Sequence, residues 1–354
     1  RGIEMIDWLI SGDRPRSVAL GAVLLGILFS LAFAPFLFPG VRALDTAATI
    51  LIFIVLVASY DLLLGYSGIV SFAHTMFFGL GAYGVALASI HMGPGWDALI
   101  VGALAGALSA TVLAYAIGLF SLRVRAIFFA MITLAVASAV AVLVSQLFQL
   151  TGGEDGLTYR IPRALTPANR VGELFGVRIN GRILAYYLLF FSCTALFLLL
   201  LRIVNSPFGR VLQSIRENDF RSEAIGYRVV AYRTAATCLS AAMAALAGSL
   251  YAIWLRYVGP DTTLSFEIMI DVLLMVVIGG MGTMYGAVIG ATIFVLAQNY
   301  LQNLMGAASD ATSALPLIPD LINPDRWLLW LGVLFVLSVY FFPTGIVGRL
   351  RAGR

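Results

Sequence analysis

A chain of 354 residues with 61% hydrophobic and only 11% charged positions is excluded from the ordinary soluble class, where about a quarter of residues carry charge. Its net charge of +4 rests entirely on arginine, since lysine is absent. With no lysine there is no G-x-x-x-x-G-K-[ST] phosphate loop, so a nucleotide that powers this protein must be bound by another chain. The two cysteines, Cys193 and Cys238, lie in or near apolar runs, and His74 and His91 have no neighbouring ligand set. Neither a disulfide nor a metal site is expected.

Apolar runs follow one another at residues 18–38, 47–64, 75–90, 99–120, 127–150, 183–204, 234–255, 268–280, 285–301 and 327–342. Ten spans of about 20 residues fill more than half of the chain and leave no room for a soluble domain. The sequence thus predicts one all-α polytopic membrane domain over 1–354 with about ten transmembrane helices. The first run contains Ala32-Phe33-Ala34, which imitates a signal-peptidase site. Pro35 follows at once and opposes cleavage, so the run is read as a retained span.

Between the second and third runs stands Gly65-Tyr66-Ser67-Gly68-Ile69-Val70-Ser71-Phe72-Ala73-His74. In lipid every backbone N–H and C=O needs a partner. A Gly/Ser break is therefore tolerated only where protein or a wet cavity surrounds it, and such broken helices mark transport paths. A tight turn between two spans would use the same glycines.

Arginines orient the chain. Arg14 and Arg16 precede the first span, and Arg123 and Arg125 follow the fourth. Arg210, Arg216, Arg221, Arg228 and Arg233 follow the sixth, and Arg349, Arg351 and Arg354 follow the tenth. Ten crossings put all four groups on one side, with both termini cytoplasmic. Residues 151–182 then lie outside, as a periplasmic loop, although they carry Arg160, Arg163, Arg170, Arg178 and Arg182. Either neighbouring spans override the charge rule there, or the loop is a surface for an acidic partner.

The segment 205–230 is expected to be cytoplasmic. Ser206-Pro207 is an N-cap followed by proline at the first helical position. Phe208, Val211, Leu212 and Ile215 then share one helical face, with Arg210 and Arg216 off it. Asp219 can cap a second short helix that Gly226 ends. This element could rest on the membrane as filler, or serve as a handle for a soluble motor.

Further on, Gly279, Gly280, Gly282, Gly286 and Gly290 interrupt an apolar stretch, 268–301, that is too long for one span. Residues 302–325, with Pro316, Pro319 and Pro324, cannot form one continuous helix and are expected to be an irregular periplasmic cap. Small residues at 241–249 and at Gly79, Gly81 and Gly84 allow close helix approach, read here as packing within one subunit.

The motifs together resemble the LivM-type permease subunits of bacterial branched-chain amino-acid ABC importers, and less closely their LivH-type partners. The resemblance is carried by residues 61–68 with Ser71, His74, Gly79 and Gly81. It continues in Thr151-Gly152-Gly153-Glu154-Asp155-Gly156-Leu157, in Gly209-Arg210 with Ile215-Arg216-Glu217 and Glu223-Ala224-Ile225-Gly226, and in Gly279-Gly280-Met281-Gly282 with Gly286 and Gly290. Ala73 and Ala287 depart from the family's usual glycine and proline. The resemblance implies an ABC importer permease fold in the bacterial inner membrane. It implies a LivH-like partner permease, two LivG/LivF-like ATPases that bind ATP and Mg, and a periplasmic solute-binding protein. It also implies no cofactor and no catalytic residue in this chain. The implied translocation path takes in Gly65, Ser67, Gly68, Ser71, His74, Gly280 and Gly282. The implied coupling set is Phe208, Arg210, Ile215, Arg216, Glu217, Glu223 and Gly226. Glu154, Asp155, Arg160 and Arg163 would dock the binding protein.

The rival from another class is an ion-coupled secondary transporter. It would use intramembrane carboxylates, here Asp61, Glu267 or Asp271, with His74 as a proton relay. Asp61 and Asp271 fall near expected span ends, which suits a solvated or backbone-bonded role. A membrane-embedded enzyme would need clustered His, Asp or Glu on facing spans, and only two histidines exist.

Overall fold

The computed structural model describes residues 17–37, 40–121, 126–174, 177–311, 323, 326–341 and 345–352. The apolar runs become helices in register with expectation. We label them α1 Val18–Ala32, α2 Val41–Asp61, α3 His74–Met92, α4 Trp96–Ser121, α5 Ala126–Gln146 and α6 Gly181–Asn205. After the surface pair α7 Pro207–Glu217 and α8 Asp219–Ala224 come α9 Val229–Leu255, α10 Phe266–Gly279, α11 Met284–Ala311, α12 Trp327–Phe341 and α13 Gly345–Ala352. Among the described residues, 8 helical segments are long and apolar enough to cross a membrane. The first and tenth runs form helices of 15 residues each, about 22 Å long and so shorter than a full crossing.

Helix α2 is the axis of the bundle. Ile52, Val55, Leu56, Val57 and Ala58 are wholly buried, and a helix that is apolar all round belongs inside. Helices α6, α9, α10 and α11 pack around it. Helices α4 and α5 lie outermost and expose Ile100, Leu104, Leu108, Ile127 and Met131, side chains that hydrocarbon solvates.

Helices α3, α4 and α9 pack most closely. A Cβ on Gly81 would collide with the Ala245 carbonyl, and one on Gly248 with the Phe78 carbonyl. Ser249 Oγ lies 3.1 Å from Gly81 O and 3.0 Å from Ala245 O, with its one proton shared between them or given to either. The small residues therefore pack helices of one chain together, as expected. Gly248→Val is expected to lower stability by about 1–3 kcal/mol through overpacking; a thermal melt of the detergent-solubilised protein measures this, and an unchanged Tm would contradict it.

The helix ends sort into two groups. Gly118, near the end of α4, meets Thr234 at the start of α9. Leu20 of α1 packs with Ile289 and Val347, and Gly345 abuts Gly280. The helix ends that flank the four arginine groups thus gather at one end, beside α7 and α8. Arg14, Arg16, Arg123, Arg125 and Arg354 themselves lie outside the described residues.

At the opposite end Asp45 of α2 pairs with Arg182 of α6 and accepts from Trp254 Nε1 of α9 at 3.1 Å. The Arg182 guanidinium lies 5.3 Å from the Trp254 ring centroid. Residues 151–182 cover this end with short turns and two small β pairings. Strand β1, Leu157–Thr158, pairs antiparallel with β4, Tyr257–Val258; β2, Arg170–Leu174, pairs antiparallel with β3, Val177–Asn180. One expectation fails. Residues 302–311 continue α11 as a regular helix rather than opening an irregular cap at Gln302. The first proline of that region is Pro316, so no ring clash or missing N–H disturbs the preceding turns. Pro316, Pro319 and Pro324 lie outside the described residues.

Candidate functional site

The interruption expected at 65–74 is present and joins two candidate spans, Val41–Ser67 and His74–Met92, as both the path reading and the tight-turn reading allow. After Asp61 the helix widens into a π-helical turn, Leu62–Ser67, that ends at Gly68 with φ 72, a left-handed conformation open to glycine at little cost. Residues 68–73 are irregular until α3 begins at His74. π-helical turns recur at functional sites because they displace backbone groups from the regular ladder.

His74 and Ser71 brace the break from within. His74 Nε2 lies 2.8 Å from Ser59 Oγ. Ser59 gives its one hydroxyl proton to Leu56 O at 2.7 Å, so the bond needs the Nε2–H tautomer. Ser240 Oγ of α9 donates to Ser59 O at 2.6 Å. These bonds tie α2, α3 and α9 together. Ser71 Oγ accepts from Ala73 N at 3.3 Å, and among the described residues the buried Ser67 hydroxyl has no hydrogen-bond partner.

The second glycine cluster forms the turn from Gly280 to Thr283 that separates α10 from α11, splitting 268–301 as its length required. Gly280 has φ 119 and Gly282 φ 78, and Thr283 Oγ1 donates to Gly280 O at 2.7 Å. This turn meets the break directly. Gly282 N donates to both oxygens of the Asp61 carboxylate, at 2.9 and 3.1 Å. Asp61 is 1% exposed, so its charge needs compensation. The Gly282 amide and the positive charge of Arg216 favour the ionised carboxylate but offset burial only in part, and Arg216 also donates through Nη1 to Gly65 O. A side chain on Gly65 would occupy the places of Asp61 Oδ1 and Gly282 N. Gly65, Gly68 and Gly282, singled out for a path, thus converge with Asp61 on one arginine of the surface helix pair.

Helix α7 forms as its apolar stripe requires. Leu212 and Ile215 are buried, and Phe208 stacks on Tyr232 of α9 at 5.8 Å. Ser206 occupies the N-cap position, but its hydroxyl donates back to Ile203 O at 2.6 Å. The cap of α8 is Asn218, whose Oδ1 accepts from Arg221 N at 2.8 Å, not Asp219 as expected. Asn218 holds the extended backbone that a cap needs, whereas Asp219 already begins the helix and pairs loosely with Arg233 at 3.8 Å. Ser214 Oγ and Ser222 Oγ, 3.1 Å apart, join the two helices. Gly226, φ 98, follows their end.

The seven residues assigned to coupling therefore divide. Phe208, Ile215 and Arg216 engage their own chain. Arg210, Glu217, Glu223 and Gly226 are exposed. Beside them stand Phe220, 80% exposed, and Ile225, 67% exposed, which sequence reasoning passed over. Their signal was present: two large apolar residues outside the α7 stripe in an otherwise polar loop.

At the far end Glu154 and Asp155 sit on the turn Gly153–Asp155, and Arg160 and Arg163 follow; all four are exposed. Buried Tyr159, Ile161 and Leu165 anchor this surface. Of the carboxylates considered for ion coupling, Asp61 is bonded to backbone. Asp271 is half-buried, and Glu267 is exposed in the first turn of α10. Among the described residues no group of three His, Cys, Asp or Glu side chains could hold a metal ion.

A multi-pass helical bundle, with a broken helix at its axis knotted to a surface helix pair at one end, has the architecture of a membrane transport permease. The comparisons name the family. Residues 42–339 match the model described as "Branched-chain amino acid transport system / permease component", and the chain belongs to this family. It is similar to the high-affinity branched-chain amino acid transport system permease protein LivM of Salmonella typhimurium, 26% identical over 87% of this chain and 71% of the relative. The Escherichia coli protein of that name is 25% identical over 87% and 70%. A probable branched-chain amino acid transport permease LivM of Methanocaldococcus jannaschii is 24% identical over 67% and 66%. No solved structure matches.

Proposed function

We propose that this protein is the LivM-type permease subunit of an ATP-driven ABC importer that carries branched-chain amino acids, or a related small polar solute, across the bacterial inner membrane. It acts beside a LivH-like permease, two LivG/LivF-like ATPases that bind ATP and Mg, and a periplasmic binding protein. The observation that carries the reading is the reach of Arg216 from the surface helix α7 to Gly65 O inside the broken helix. A soluble motor gripping α7 and α8 would thereby pull on the break and, through Asp61, on the Gly282 turn. Arg210, Glu217, Glu223, Phe220 and Ile225 form the outward face such a motor would hold. Gly65, Ser67, Gly68, Ser71, His74, Gly280 and Gly282 then shape the inner end of the path.

Co-purification with two ATPases, and vesicle uptake that needs ATP and survives an uncoupler, tests the proposal. Uptake abolished by the uncoupler with ATP present would overturn it. The exposed surface at Glu154, Asp155, Arg160 and Arg163 is the docking site for the binding protein. Neutralising Arg160 and Arg163 together is expected to weaken docking several-fold at low salt, since exposed ion pairs contribute about 0.2–1 kcal/mol each. The difference should vanish at high ionic strength. A titration with the binding protein at two salt concentrations reads this out, and equal affinities at low salt would show the surface lies elsewhere.

A further inference from the structure

Between α1, α2 and α11 lies a cavity of about 650 Å³, within the size range of small-ligand sites. It is lined by Gly26, Ile27, Ala47, Ile50 and Leu296, with Tyr300 at one end, and it lies apart from the break and the surface helices. Along α2 the lining runs from Ala43 to Ile50, about 10 Å at 1.5 Å per residue. Along the first helix it runs farther, from Val23 to Ala34, about 16 Å at 1.5 Å per residue, about the depth of one leaflet of a hydrocarbon core about 30 Å thick. Two of its lining side chains, Val23 and Leu296, are exposed apolar residues, so the space opens at the apolar surface of the bundle.

The Tyr300 end of the cavity is charged. Arg42, exposed in the first turn of α2, donates Nη2 to Asn299 O at 2.8 Å and lies 5.8 Å from the Tyr300 ring centroid. One of its five N–H donors is engaged there. Asp45, one turn on, is taken by Arg182 and Trp254 and leaves Arg42 unneutralised. Among the described residues no carboxylate pairs with Arg42. A largely apolar slot about one leaflet deep, with an arginine and a tyrosine at one end, has the chemistry of a phospholipid site. We propose that this cleft holds one acyl chain of an anionic glycerophospholipid, with its phosphate on Arg42. The lipid would fill the space between α1 and the bundle.

The test uses the assembled transporter in nanodiscs of phosphatidylglycerol or of phosphatidylethanolamine, with lipids retained after detergent extraction counted by native mass spectrometry. Wild type is expected to retain one more phosphatidylglycerol per complex than the Gly26→Phe variant. A Cβ on Gly26 meets nothing within 4 Å, so the added ring can enter the cleft without moving backbone. Arg42→Gln, at an exposed position, is expected to lose roughly tenfold of the preference for the anionic lipid, as a charge-assisted contact implies. Equal retention by wild type and Gly26→Phe would overturn the proposal. So would equal retention of the two lipids by wild type, or a cross-link from Gly26→Cys to a partner-subunit helix seated in the cleft.

Discussion

Arg216→Ala is expected to lower solute uptake by at least about tenfold while ATP hydrolysis by the assembled transporter continues. The side chain joins α7 to the break through Gly65 O and offsets the charge of Asp61. A hydrogen bond to a charged group contributes about 1.5–3 kcal/mol, and each 1.4 kcal/mol is a factor of about ten in an equilibrium. If the motor biases the conformation of the break through this one contact, its loss separates hydrolysis from movement. Proteoliposomes reconstituted with the ATPases and binding protein allow both rates to be measured on one sample. Charge reversal at Glu217 provides the contrast. That side chain is exposed, so Glu217→Arg should weaken assembly with the ATPases instead. Wild-type uptake by Arg216→Ala would remove the linkage from the mechanism.

Asp61→Asn is the second large effect expected. The change is isosteric, but the amide is neutral and has one acceptor oxygen where the carboxylate has two. Gly282 N now donates to both oxygens, and Arg216 would lose its opposing charge. The remaining oxygen can still accept from Gly282 N, but the new NH2 group stands where an acceptor faced that N–H, and a buried polar group left without a partner costs about 1–3 kcal/mol. Uptake should fall by about tenfold or more, since each 1.4 kcal/mol is tenfold, and Tm should drop as well. Because Asp61 and Arg216 act in one network, the double variant should be little worse than the poorer single variant. Strict additivity of the two losses in uptake would show that the residues work independently.

Local features were legible because local chemistry determines them. Glycines and serines at 65–74 marked an interruption between two apolar runs, since glycine leaves a helix at little conformational cost; the same residues suit a tight turn between two spans. The excessive length of 268–301 required a split, and the split falls on its glycines. The spacing of Phe208, Val211, Leu212 and Ile215 foretold the buried face of α7. Residues 302–311 were misjudged because the prolines beyond them were allowed to act several turns upstream, farther than a proline's clash reaches.

Hydropathy and residue spacing alone determined that this protein is a helical membrane bundle, where its axis breaks, and which loop forms a surface helix pair. Each of these follows from the cost of an unpaired backbone group or a misplaced apolar side chain within a few turns. Only the tertiary structure decided that Asp61 caps the turn at Gly282, that the exposed Arg216 reaches Gly65 O while Phe220 and Ile225 point outward, and that Arg42 stands at one end of an apolar cleft. Those contacts join residues 151 and 221 positions apart, and their formation depends on how whole helices pack. No local pattern carries that information.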